Sequence, residues 1–279
     1  MTRHAGALRD TIAGAVVGAY FELSYRLLAG SPEGRRFLRA SAVAPDLESH
    51  GYLTPEDLDV LIELLGPTAD SRLIDLGCGV GDVARQVHAR TGARIVGVDF
   101  AASAVREARR RAGRAGVGRS VRFSRGSFAR LPALDAAGAY ALDSLAFAPS
   151  SAIALTAISR ALGDRGRLFA TTLTLGASAE PPLVREACRA GGRMVVSTDV
   201  TAALIARSDA RAAVARRLAA KRTTWRGWAA LAIVISEESL VGRLARRGRL
   251  RRWRVAVEFG DTERAARSRS PVRPREPRR

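Results

Sequence analysis

The sequence predicts an α/β fold with a largely parallel sheet, and three observations carry that prediction. Between residues 72 and 172, short β-rich runs alternate with longer helical ones, as crossover helices between parallel strands require. The first β-rich run passes straight into a glycine loop that opens a helix, in LIDLGCGVGDVA from Leu73 to Ala84. Beyond Gly176 the alternation breaks, and a long helical stretch separates the last two strand-like runs. No repeat of fixed period runs through the chain.

The elements follow in order. Thr54 can cap a helix whose first turn holds Pro55, Glu56 and Asp57, with Leu58, Leu61, Ile62 and Leu65 as its apolar face and Gly66 to close it. Strand one is Arg72 to Leu76, and a helix follows from Asp82 to Arg90, stopped by Gly92. Strand two is Arg94 to Val98, then a charged helix near Ser103 to Ala112, then strand three at Val121 to Phe123. Strand four is expected at Tyr140 to Leu142. A helix from Ser151 to Leu162 ends at Gly163, before strand five at Arg167 to Thr172. A helix at Leu183 to Ala190, a strand at Met194 to Ser197, a helical stretch from Ala202 to about Arg222 and a strand at Trp253 to Phe259 complete the chain. The segment before the last strand is large enough to form a lid or a substrate wall.

Composition narrows the class. A chain of 279 residues with 47% hydrophobic content can bury a substantial core without staples. Cys78 and Cys188 lie far apart and outside any Cys-x-x-Cys pair, so neither a disulfide framework nor a metal site is expected, and a reducing cytoplasm is the simplest compartment. The apolar run Ile12 to Phe21 is too short to span a bilayer and continues into Glu22, Leu23, Tyr25, Leu27 and Leu28, so it reads as an amphipathic or buried helix and no membrane partner is expected. The net charge of +19 resembles a nucleic-acid footprint. Only one of the 46 cationic residues is a lysine, Lys221, a bias that a GC-rich coding sequence produces without selection for a polyanion. Much of the excess sits in RSRSPVRPREPRR, which is expected to be a disordered tail over 261–279.

The glycine loop carries the chemistry. Gly77, Gly79 and Gly81 follow a buried strand, and ligands of open α/β sheets lie at the carboxyl ends of strands. A dinucleotide fold would need a third glycine at position 82, where this chain has Asp82, a carboxylate that repels a pyrophosphate from the helix start. No Gly-Lys-Ser/Thr follows the loop either. Nucleotide phosphates are thus disfavoured.

Asp75 followed by Gly77, Cys78, Gly79 and Gly81 resembles the first motif of class I S-adenosylmethionine methyltransferases, and the similarity runs from about His50 to Phe259. The resemblance implies a Rossmann-like class I methyltransferase fold. Its seven-stranded sheet is mostly parallel with an antiparallel last strand, behind a helical N-terminal cap over 1–53. The domain would occupy 54–260, with a helical insertion at about 199–249 before the last strand. It also implies that Asp99 accepts hydrogen bonds from the two ribose hydroxyls and that Phe100 packs on the adenine. In RGSFARLP the family's aspartate is replaced by Ser127, whose hydroxyl could meet the adenine amino group unless the backbone of Phe128 does so. ALDSLAF is similar to the fourth-strand motif facing the transferable methyl. There Asp143 is a candidate proton acceptor or acceptor-orienting group, or else a contact to the cofactor's amino group or a cap. SRALGDRGRLFATT is similar to the approach to the fifth strand, with Asp164 and Arg165 where proline and glycine are commoner.

ESHGYLT is similar to a His-Gly-Tyr segment of small-molecule branches, in which an aromatic ring lies near the sulfonium. Tyr52, and Tyr20 further upstream, could meet that cation with a ring face, or simply pack. His50 reads as structural, with a general-base role as the alternative. His4 and His88 read as exposed, Cys188 as core, and Trp225, Trp228 and Trp253 as packing residues, the first two also candidates to line a substrate pocket. The reaction so implied is methyl transfer from S-adenosyl-L-methionine to a small-molecule acceptor. A methyltransferase acting on RNA or DNA, and a cofactor-binding protein without turnover, remain as alternatives. Strand four lacks the Asn/Asp-Pro-Pro-Tyr/Phe motif of amino-group base methyltransferases.

Overall fold

The computed structural model describes residues 23, 26–44, 47, 51–148, 150–176, 178–221 and 223–260. The expectations for His4, the run Ile12 to Phe21, Tyr20, His50 and the tail fall outside these residues. Seven strands form one sheet: β1 Arg72–Leu76, β2 Arg94–Asp99, β3 Val121–Arg125, β4 Ala136–Leu142, β5 Leu162–Leu175, β6 Gly192–Asp199 and β7 Leu250–Phe259. Their order is β3-β2-β1-β4-β5-β7-β6, and only β7 runs antiparallel to its neighbours. Strand order therefore reverses between β1 and β4, which opens a crevice at their carboxyl ends.

The helices are α1 Pro32–Ala40, α2 Pro55–Leu65, α3 Asp82–Thr91, α4 Ala102–Arg114, α5 Ser151–Ala161, α6 Pro182–Arg189, α7 Thr201–Ala219 and α8 Trp225–Arg246. The expected cap of α2 forms a full capping box, since Thr54 Oγ1 accepts from the Asp57 N–H and the Asp57 carboxylate accepts from the Thr54 N–H. Gly66 closes it in the left-handed conformation. One core packs α2, α3 and α4 on Leu73, Ile95, Phe123 and Phe169. The other packs α5 and α6 on Ile74, Leu168, Val255 and Val257.

The expected insertion is a helical hairpin, α7 and α8, with a small core of its own. Val214, Ala215, Leu231 and Val234 close on Leu28, Phe37 and Leu38. Between the helices a buried Arg211–Glu238 ion pair forms, and the Arg211 guanidinium stacks 5.0 Å from the Phe37 ring centroid.

Several expectations are corrected. Helix α5 stops at Ala161, and Gly163 lies inside β5, because Leu162 already has extended dihedrals and pairs with Ala136. Residues 163–166 loop out before Arg167 pairs with Gly138, with Arg165 at a φ of 57°. Strand β4 begins four residues earlier than expected, at Ala136, because the small residues Ala136 to Ala139, which carry little strand signal, pair with β1 and β5. Cys188 is exposed on α6 and not part of the core. His88 is half-buried, with its Nδ1 2.8 Å from the Ala93 carbonyl oxygen. Trp253 does pack, and its indole N–H donates to Thr174 Oγ1 at 3.0 Å.

Candidate functional site

The glycine loop turns because its backbone is tied to the next strand. The N–H groups of Gly77 and Cys78 both donate to the Val98 carbonyl, at 2.8 and 3.2 Å. Gly77 has a φ of 80°, and a Cβ there would collide with the side chain of Ser144, so only glycine fits. Ser144 in turn donates its hydroxyl to the Leu76 carbonyl, which locks the end of β4 against the end of β1. Gly81, at a φ of 77°, serves as the first residue before α3, and a side chain there would strike Phe123.

A cavity of ≈ 230 Å³ opens above this loop. Asp75, Gly77, Cys78, Gly79, Asp99 and Phe100 wall one end of it. At the tip of β2 the Asp99 carboxylate accepts the Gly79 N–H at 2.9 Å and the Ala101 N–H at 2.8 Å, and is thereby fixed at the lip. Phe128 is buried and reaches the cavity, whereas Gly81 and Ser127 are not in its wall. The Ser127 expectation is therefore corrected: its hydroxyl accepts the Ala129 N–H at 3.2 Å and serves the turn. Gly81 is packed closely against Phe123 and Ala108. Asp82 also borders the cavity, but Arg85 and Arg111 neutralise it, at 2.7 and 2.9 Å.

Asp75 is buried, and its Oδ2 makes no hydrogen bond of normal length among the described residues. Burial, reinforced by the charge of Asp99, pushes its carboxyl from an ordinary 3.8 up to about 8. The folded, ligand-free protein thus keeps a proton on Asp75 that the unfolded chain releases above about pH 4, and stability falls as pH rises through that window toward 8. Asp75→Asn imitates the protonated form. It is expected to lose less stability than the wild type between pH 5 and pH 8 in urea denaturation; identical losses would show that Asp75 is ionised throughout.

The other end of the cavity is more apolar. Tyr52, Leu142, Phe147, Leu173 and Val241 contribute there, with Asp143 and Glu237 as its carboxylates. Tyr52 packs on Leu204, Ala245 and Leu250, and burial together with the nearby Glu238 and Glu237 holds its phenol well above the usual range, hence protonated. Sequence reasoning passed over Leu173, Phe147, Glu237 and Val241. Phe147 stands in the ALDSLAF segment, while Glu237 and Val241 are one turn apart on α8, where no local pattern sets them apart from other i, i+4 pairs.

Asp143 is engaged on both of its oxygens. Its two oxygens accept from Arg252 Nε at 3.0 Å and Nη2 at 3.1 Å, and Oδ2 also accepts the Tyr52 N–H at 3.2 Å. Arg252 is fully buried and reaches on to Asp57 at 2.9 Å, where Arg254 joins at 2.8 Å. This network ties β7, the start of α2 and the loop bearing Tyr52 to the cavity wall. A hint lay in the sequence, since Arg252 and Arg254 share one face of a strand otherwise rich in apolar residues.

Residues 73–166, which hold the loop, Asp99 and Asp143, match the family model of a methyltransferase domain. This stretch is similar to methyltransferase domains. The methyltransferase phqN of Penicillium fellutanum is 35% identical over 119 residues, which are 41% of this chain and 36% of that protein. An S-adenosyl-L-methionine-dependent Diels-Alderase, iccD of Talaromyces variabilis, is 37% identical over 111 residues, 38% of each chain. The similarity thus spans well under half the length of these relatives. Among solved structures, the [4+2]-cyclase SpnF aligns over 86% of this chain and 96% of its own, at 20% identity and a TM-score of 0.69. A cyclopropane synthase of Mycobacterium tuberculosis aligns over 80% and 93%, at 12% identity and a TM-score of 0.70. The likenesses to solved structures show the fold alone. Trp225 and Trp228 neither pack nor reach the cavity, contrary to expectation. No helix among the described residues is long and apolar enough to cross a membrane.

Proposed function

We propose that the protein binds S-adenosyl-L-methionine in this cavity and transfers its methyl group to a small, largely apolar acceptor. The observation that carries this reading is Asp99, a carboxylate fixed by two backbone donors at the lip of a glycine-walled cavity, where a ribose diol would find its acceptor. The fit extends to the rest of the group. Phe100 and Phe128 offer apolar faces to an adenine, and the glycine loop leaves its backbone open to close approach. The buried Oδ2 of Asp75 lies beside that loop and is suited to a cationic amino group.

When bound, the cofactor supplies an electrophilic sulfonium methyl, which passes to the acceptor's lone pair and leaves S-adenosylhomocysteine. The chain's own residues align and exclude. Tyr52 offers a neutral ring to a developing cation, and Phe147, Leu173 and Val241 keep water from the acceptor end. Asp143 acts as a positioning residue: through the Tyr52 N–H it fixes that ring, and Arg252 holds its charge.

A second reading is favoured by the same engagement of Asp143, which leaves an acceptor's proton without a dedicated base at the end of β4: the protein binds the cofactor and performs no transfer. The relative named a Diels-Alderase supports keeping it. Calorimetric titration with S-adenosylmethionine, S-adenosylhomocysteine and NAD tests the shared part, with micromolar binding of the first two and none of NAD expected. S-adenosylhomocysteine released in the presence of a phenol, amine and carboxylic acid panel then separates transfer from binding alone. Failure to bind either sulfur ligand sinks both.

A further inference from the structure

One face of α8 is apolar and exposed. Trp225 is 74% exposed, Trp228 59%, Leu240 52% and Ile233 40%. Trp225, Ala229, Ile233 and Leu240 recur at near-helical spacing and so share one side of the helix, with Trp228 along its edge. The opposite side is spent on the hairpin's own core, through Ala230, Leu231 and Val234. A helix that is apolar on both sides is normally covered on both.

Charge says what covers it. Between Asp209 and Glu237 the sequence holds no carboxylate and six cationic residues, Arg211, Arg216, Arg217, Lys221, Arg222 and Arg226. Arg216, Arg217, Lys221 and Arg226 are exposed, and the Arg226 guanidinium lies 5.3 Å from the Trp225 ring centroid. A second copy of the chain docked on this face would bring two such cationic sets together, which like-charge repulsion opposes. Tryptophan rings beside arginine and lysine instead suit the boundary between lipid headgroups and acyl chains, where the ring is half wet and the cations meet phosphates.

We propose that the outer face of α8 rests on an anionic phospholipid surface, with Trp225 and Trp228 among the headgroups. The contact is peripheral and departs from the sequence expectation of no membrane partner, which concerned spanning segments. Val241 and Glu237 of the same helix border the cavity, so the docked protein would meet a lipid-soluble acceptor at that surface. That last step alone rests on the proposed methyl transfer.

The test is co-sedimentation of the full chain with vesicles of phosphatidylcholine alone and of equal parts phosphatidylcholine and phosphatidylglycerol, at low and high salt. Binding to the anionic vesicles is expected, weakened by salt, with a blue shift of tryptophan emission. The double variant Trp225→Ser/Trp228→Ser is expected to bind them at least about tenfold more weakly. Its affinity for S-adenosylhomocysteine should equal the wild type's, which also certifies its fold. Vesicle binding undiminished in that variant would overturn the proposal, since the arginines alone would explain it. So would wild-type protein that ignores anionic vesicles, or a concentration-dependent dimer that the double variant abolishes, which would make a second copy the occupant.

Discussion

Asp99→Ala is expected to abolish measurable binding of S-adenosylmethionine, with a loss of at least about a hundredfold if two charge-assisted hydrogen bonds of about 1.5–3 kcal/mol each go to the ribose diol. The same substitution orphans the N–H groups of Gly79 and Ala101, so the ligand-free protein should also be destabilised. Calorimetry and urea denaturation on one preparation separate the two effects. Asp99→Asn offers a useful contrast: it keeps the shape but turns one acceptor into a donor facing a donor, so affinity should fall in the same direction by a smaller factor. An Asp99→Ala protein that is folded and binds within about threefold of the wild type would remove the ribose contact from the proposal, and with it the main reason for choosing this cofactor.

Arg252→Met is expected to be strongly destabilising, at about 3–5 kcal/mol, because it removes the guanidinium shared by two buried carboxylates. Asp57 would keep Arg254 and the Thr54 N–H, whereas Asp143 would keep the Tyr52 N–H. For a chain of this size, that corresponds to a fall in Tm of roughly 6–20 °C. Its pH dependence identifies the cause. In the wild type burial pushes Asp57 up, but the charges and hydrogen bonds of Arg252 and Arg254 overcome it and hold the carboxyl below its ordinary value. Its contribution is thus fully present above the unfolded carboxylate pKa and is lost as pH falls through the lower, folded one. In the variant Asp57 loses the larger of the guanidinium contributions that oppose its burial, so the penalty is large at pH 7 and shrinks on acidification toward pH 4. Adding Asp143→Asn to Arg252→Met should recover part of the stability. A penalty independent of pH, with no recovery in the double variant, would mean that Arg252 matters only for packing volume.

The divide between what was legible in the sequence and what was not follows the range of the interactions. The capping box at Thr54 and Asp57, the loop Gly77 to Gly81 and the carboxylate ending β2 are local patterns, and each lies where the sequence puts it. Ser127 was misjudged because a single hydroxyl can serve a turn or a ligand, and only the fold decides which. The exposed tryptophans and the exposed Cys188 were misjudged for a related reason, since burial depends on what packs against a helix and not on residue type alone.

By itself, then, the sequence determined a mostly parallel sheet, a glycine loop at its switch point and an acidic residue one strand away, while the antiparallel last strand came from the family resemblance. Backbone dihedrals, helix caps and hydrophobic period are set by residues close together in the chain. Only the tertiary structure decided that Asp143 is held by Arg252 across 109 positions, that α8 supplies a wall of the cavity, and that the other face of α8 is left exposed. Those contacts join residues far apart in sequence, and no local pattern records which distant partner a buried charge will find.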